Sequence, residues 1–188
     1  MHHVPAQTLG IDPGNLQSGW ALLDRERGVV GSGVMANAVL LEKIRALGDE
    51  QDVALAVEWI TSMGMAVGQT VFDTCRFAGR VQEAFHAPEA VVFIPRVQVK
   101  LHLCGKRNAK DPNVRQALID LFPASGDGAV PQIGTKRNPG PLYGVASHAW
   151  PALAVAVVAS GYAARHAGAE LGAGMQLTPL ERIGALAF

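Results

Sequence analysis

Three residues of this chain pair a chemically useful side chain with a position that needs a reason: Asp12, Glu58 and His148. Asp12 closes the apolar run Leu9-Gly10-Ile11 and is followed at once by Pro13-Gly14-Asn15. Aspartate is depleted from strand interiors, so a carboxylate at the tip of such a run either makes the turn, by bonding its own backbone, or is presented for chemistry. Glu58 closes a second apolar run, Val53-Ala54-Leu55-Ala56-Val57. Its ordinary reading is a capping or salt-bridged residue at a strand end. If the two runs are parallel neighbours, both carboxylates emerge at one edge of a sheet. Like charges that close raise each other's pKa unless a cation sits between them. A hard divalent ion such as Mg²⁺ binds oxygen ligands and keeps waters for phosphate groups. His148 follows Ser147 at the start of the apolar stretch Ala149–Ala164. With Ser147 as N-cap, His148 falls in the first helical turn. Alone it is an ordinary polar residue; facing two strand-end carboxylates it becomes a candidate ligand.

The elements that must position these residues can be read from periodicity. Thr8–Asp12, Gly19–Asp24 and Val29–Val34 read as three strands of a meander. Asn37–Leu47 has helical spacing, Val53–Val57 suits a strand covered on both faces, and Val67–Phe85 is a long helix. The buried stripe of that long helix is expected at Val71, Phe72, Cys75, Ala78, Val81 and Phe85. Asp73, Arg76 and Arg80 form a solvated charge ladder on its other face. Ala90–Ile94 is a fifth strand stopped by Pro95. Asp111-Pro112 marks a helix start, with Asp111 as N-cap, and Val114, Ala117, Leu118 and Leu121 form its stripe. Pro123–Tyr143, rich in Gly and Pro, reads as a long loop. The tail from Gly168 is weakly patterned, with at most a short helix at Pro179–Leu186. No repeat or linker divides the chain, so one domain spans residues 1–188.

At 188 residues, with 49% hydrophobic and 17% charged residues, the chain can bury a core and is not of disordered composition. Its formal net charge is zero, but the charge is unevenly placed. From Arg96 to Arg137, eight basic residues face three acidic ones, so this segment carries +5 and the remainder −5. Such a lopsided field can hold a polyanion. Arg96, Lys106, Arg107, Lys136 and Arg137 are candidates to track a nucleic-acid backbone, a role without sequence information. Cys75 and Cys104 lack metal-like or redox-like spacing, and a reduced, cytoplasmic chain without a signal peptide is expected. The most apolar helix is broken by Pro151 and Gly161 and is too short for a bilayer of ~30 Å, so no membrane span is expected. Trp20, Trp59 and Trp150 read as packing residues, of which Trp59 and Trp150 are placed to wall a site.

With these residues in view, the chain resembles the RNase H-like superfamily and, within it, the RuvC-type Holliday-junction resolvases. The resemblance covers about residues 8 to 165. It rests on Leu9-Gly10-Ile11-Asp12-Pro13-Gly14, on Ala56-Val57-Glu58 before a long helix, on Pro95-Arg96-Val97-Gln98-Val99-Lys100 with Lys106–Lys110 following, and on the helix entered at His148. It implies an α/β fold, an RNase H-like mixed five-stranded sheet flanked by helices. It implies a structure-selective endonuclease that hydrolyses phosphodiesters of branched DNA with two divalent ions, Mg²⁺ or Mn²⁺, roughly 3.5–4 Å apart. Asp12 would bridge both ions, Glu58 would hold one, and His148 would hold the other or assist the water. Lys100 and Lys110 match basic positions near the scissile phosphate, although either could be an ordinary solvated lysine. A two-fold dimer is implied, with Val67–Phe85 as candidate interface because Phe77 and Met65 fall partly outside its stripe. The pattern is closer to a phage or prophage branch than to a housekeeping resolvase.

One departure stands out. The resemblance calls for an aspartate three residues into the last helix, and this chain has Pro151. Asp111 could substitute, but its position before Pro112 favours capping. A relative that binds branched DNA without cutting it therefore stays open. An actin-like ATPase or sugar kinase, suggested by Asp-x-Gly-Asn after a strand, would need a second lobe that 188 residues do not supply, and no nucleotide cofactor is expected. A purely structural protein would have to treat Asp12, Glu58, His148 and the basic segment as coincidences.

Overall fold

Alternation of inward and outward side chains along two adjacent strands decides where the candidate site can form. In the computed structural model, which describes residues 4–48, 52–61, 64, 66–124 and 128–163, strands β1 (Gln7–Asp12), β2 (Gln17–Asp24) and β3 (Gly28–Ala36) form an antiparallel meander. Helix α1 (Asn37–Arg45) follows directly, then β4 (Val53–Trp59), α2 (Gln69–Ala84), β5 (Val92–Pro95), α3 (Arg96–Cys104), α4 (Asp111–Leu121) and α5 (Ala149–Ser160). The mixed five-stranded sheet has the order β3-β2-β1-β4-β5, with β4 parallel to both β1 and β5. The parallel pairing expected of the two carboxylate-bearing runs is present: Ile11 is opposite Val57, one step before Asp12 and Glu58.

Side chains of period two then sort to two cores. Leu9, Ile11, Leu55 and Val57 pack on one face with Leu40, Leu41 and Ile44 of α1 and Phe77, Ala78 and Val81 of α2. Ala21, Leu23, Ala56 and Ile94 pack on the other face with α5, over which lie Val99 of α3 and Val114 and Leu118 of α4. Asp12 and Glu58 share parity with Gly10 and Ala56, so both belong to the α5 face. Helix α5 is apolar around almost its whole circumference because it is sandwiched between sheet and helices. It comes so close to β1 that a Cβ on Gly10 would fall on the carbonyl oxygen of Ala152 and 2.9 Å from the Cβ of Ala156.

Several expectations need correction. Residues 96–104 form a helix that the sequence reading did not assign, ended by Gly105 at φ 65°. The buried face of α2 runs through Thr74, Phe77, Ala78 and Val81, while Phe72 is 57% exposed. Phe77 is therefore core, and the pattern argument for a dimer interface on this helix fails; Met65 lies outside the described residues, as does the tail from Gly168. Lys110, not Asp111, caps α4, its amide donating to the Asn113 side chain at 3.0 Å. At α5 the cap residue is His148, while Ser147 takes a left-handed backbone at φ 46°. Among its described residues the 123–143 segment has no extended strand, yet it is organised: Gly134 bridges Pro139, the Thr135 amide donates to the Asn138 carbonyl at 2.8 Å, and Leu142 is buried.

Candidate metal centre at the sheet edge

The turn after β1 frees the Asp12 carboxylate. Ser18 and Asn37 satisfy that turn: the Gly14 amide donates to Ser18 Oγ at 3.1 Å, Ser18 donates to Asn37 Oδ1 at 2.7 Å, and Asn37 Nδ2 donates to the Gly14 carbonyl at 2.9 Å. With its turn made by others, Asp12 meets His148 across the sheet edge, Oδ2 to Nδ1 at 2.9 Å. The backbone explains the meeting. Asp12 pairs with Gly19 on β2, and a Cβ on Gly19 would fall on the carbonyl oxygen of His148. Only a residue without a side chain lets the start of α5 come this near to the end of β1.

Glu58, whose side chain is 11% exposed, accepts from Arg96 Nη1 at 2.7 Å. The other arm of the same guanidinium, Nη2, donates to Asp111 Oδ1, also at 2.7 Å. Lys100 Nζ stands 3.9 Å from that Asp111 oxygen. Asp111 thus leaves the capping role to Lys110 and turns towards the site. Together Asp12, Glu58, Arg96, Asp111, His148 and Pro151 line an open cleft of about 570 Å³, whose far wall is the turn 13–17. A second groove shares Asp111, His148 and Pro151 and continues past Trp150, over whose ring Arg115 sits at 4.9 Å. Trp59 instead packs edge-on against Phe93.

Burial dominates the electrostatics. It pushes the Glu58 carboxyl up from 4.5 to about 7, against the pull of Arg96 and with a further push from Asp12. Burial also raises Asp12, with His148 opposing it. Asp111, hydrogen-bonded to Arg96 at the mouth of the cleft, is held below the usual carboxylate range. Three carboxylates facing one cleft offer the oxygen donors of a hard divalent ion, to which His148 adds an imidazole nitrogen of the kind transition metals accept. The charge the carboxylates would carry is incompletely balanced. The donors nevertheless do not close into a ready cage: among the described residues no three His, Cys, Asp or Glu side chains gather as a metal cluster, and Glu58 is engaged by Arg96.

Of the other candidates, Lys100 stands 3.9 Å from the Asp111 carboxylate, and Arg96 is turned inward onto carboxylates. Lys106, Arg107 and Lys110 lie exposed around the α3–α4 connection, and Lys136 and Arg137 at the tip of the 135–138 turn. Asp111 is the site residue whose place the sequence reading gave to another role; its position before Pro112 concealed it, and its partner Arg96 stands on the unassigned helix.

No protein-family model matches the chain, and no curated protein matches it. Solved structures do. The structure of Thermus thermophilus RuvC superposes with a TM-score of 0.55 at 22% identity, covering 85% of this chain and 95% of that one. T. thermophilus RuvC in complex with Holliday junction substrate superposes with a TM-score of 0.57 at 21% identity, covering 84% and 94%. Strand order, the carboxylate-bearing sheet edge and these superpositions agree: the chain has the RuvC-like form of the RNase H-like α/β fold.

Proposed function

We propose that this protein is a metal-dependent, structure-selective endonuclease that cuts branched DNA, working as a homodimer on two strands. The observation that carries the reading is the convergence of Asp12, Glu58 and His148 on one cleft, with Asp12 and His148 in contact at 2.9 Å. A RuvC-like fold supports it, as does the Holliday junction substrate bound by one structural neighbour. Hydrolysis joins a water oxygen to phosphorus and breaks a phosphorus–oxygen ester bond. Mg²⁺ or Mn²⁺, held by Asp12, Glu58 and His148 with Asp111 in reach of the same cleft, would supply Lewis-acid stabilisation of the charge growing on the phosphoryl oxygens. Asp12 orients the imidazole of His148 through Nδ1. Lys100, beside Asp111, adds positive charge near the scissile phosphate. The outer basic residues hold the backbone: Lys106, Arg107 and Lys110 around one connection, Lys136 and Arg137 on the loop tip.

Pro151 favours a second reading, a protein that binds branched DNA without cutting it, because it lines the cleft where a further carboxylate is expected. Cleavage of a labelled four-way junction and its linear duplex, with Mg²⁺, Mn²⁺ or EDTA, separates the two. Metal-dependent, paired nicking of the junction that disappears in Asp12→Asn supports the nuclease. Tight junction binding with no cutting in either metal supports the binder.

A further inference from the structure

The guanidinium of Arg96 occupies the place where a cation is needed. One arm reaches the tip of β4 at Glu58, the other the start of α4 at Asp111, each at 2.7 Å, so a single cation ties together the two walls of the cleft. Its side chain is 27% exposed and Glu58 is 11% exposed, so the inner half of the bridge is shielded from solvent. Arginine does not give up its proton within the range in which proteins are stable. The positive charge is therefore permanent, and wherever Glu58 is ionised only another cation can replace it without leaving that carboxylate buried and unpaired. A divalent ion that takes the Glu58 oxygens must compete with this guanidinium.

We propose that Arg96 is an internal counter-cation: it holds Glu58 and Asp111 in the metal-free protein, and binding of a divalent ion at the cleft expels it. Once expelled, its planar fork suits a backbone phosphate, so Arg96 contributes to DNA binding only when the ion is present. The inference rests on the reading of the cleft as a divalent-ion site.

The test is titration of the protein with Mn²⁺ alone, at pH 8 and without DNA, following free Mn²⁺ by its paramagnetic resonance. Arg96→Gln is expected to bind Mn²⁺ about tenfold or more tighter than wild type, and Arg96→Lys, which keeps the charge but cannot span two carboxylates, to fall between them. Lys100→Gln removes an equal charge beside Asp111 without touching Glu58 and is expected to change affinity by less than about threefold. Equal or weaker binding by Arg96→Gln, or an equal gain in Lys100→Gln, overturns the competition and leaves the ion site standing. Absence of Mn²⁺ binding in every variant overturns the ion site and the inference with it. Junction affinity supplies an independent reading: Arg96→Gln is expected to match wild type in EDTA and to bind more weakly than wild type in Ca²⁺. An equal loss in both conditions shows Arg96 on the DNA throughout and overturns the exchange.

Discussion

Asp12, Glu58 and His148 stand at the ends of β1, β4 and α5, elements whose interiors are largely buried, whereas Arg96, Lys100 and Asp111 stand on α3 and α4, which bury only Val99, Val114 and Leu118. One wall of the cleft is thus fixed by the core, with backbone-to-backbone contact at Gly10 and Gly19. The other is carried by short helices on the surface and is held to the first by ion pairs through Arg96. The division suits what each wall would do under the proposed function. Groups that act on one phosphorus atom need fixed geometry, while groups that gather a polyanion need charge more than position.

The sharpest way to break this comparison is to remove a carboxylate from the fixed wall. Asp12→Asn and Glu58→Gln are expected to lower junction cleavage at least about 10³-fold while leaving junction affinity in EDTA within about threefold. Equal loss of both would mean that the fixed wall serves binding. Gly19→Ala touches no reacting group, yet its methyl must push the His148 backbone away from Asp12; a misplacement near 1 Å predicts a loss of about 10²-fold in cleavage with junction affinity retained. Full activity in Gly19→Ala would show that the meeting of β2 and α5 does not set the site.

The buried charge of the fixed wall should also be visible without DNA. Because folding lifts Glu58 from 4.5 to about 7, the metal-free folded state takes up a proton there. The resulting stabilisation is complete below about pH 4.5 and is lost as pH rises through about 7, at most about 3 kcal/mol. Asp12, also raised by burial, acts in the same direction. A divalent ion favours the ionised carboxylates, so the gain in Tm on adding Mn²⁺ is expected to be larger at pH 8 than at pH 6. Glu58→Gln should flatten both dependences, and an unchanged slope in that variant would place the titrating group elsewhere. The smallest effects belong to the outer basic residues. Lys136→Ala and Arg137→Ala are each expected to weaken junction binding by less than about tenfold and to reduce the salt slope by about one, with the cutting rate at saturation unchanged.

Asp12, Glu58 and His148 were legible in the sequence because each is a polar residue at the end of an apolar run, a contrast that period and composition reveal. The parallel pairing of β1 with β4 was legible as a condition, and the register Ile11 opposite Val57 meets it. What escaped was decided by tertiary contact. Val97, Val99, Leu101 and Leu103 alternate as in a strand, yet packing against α4 and α5 makes residues 96–104 a helix. Missing that helix hid the place of Arg96, and without Arg96 the carboxylate of Asp111 had no visible partner beyond its own helix start. On α2 the choice between stripes containing Phe72 or Phe77 turned on a rotation of the helix that periodicity alone does not fix.

The docking of α5 against Gly10 and Gly19 has a consequence for how the protein comes into being. Asp12 and His148 are 136 residues apart in the chain. The meander can pair from local contacts while synthesis continues, but the Asp12 edge has no imidazole until α5 has been made and has inserted between sheet and helices. Long-range closures of this kind form late and slowly. A nascent or truncated chain ending before residue 148 would carry Asp12 without its imidazole partner, so under the proposed function the capacity to cut would appear only after α5 has docked.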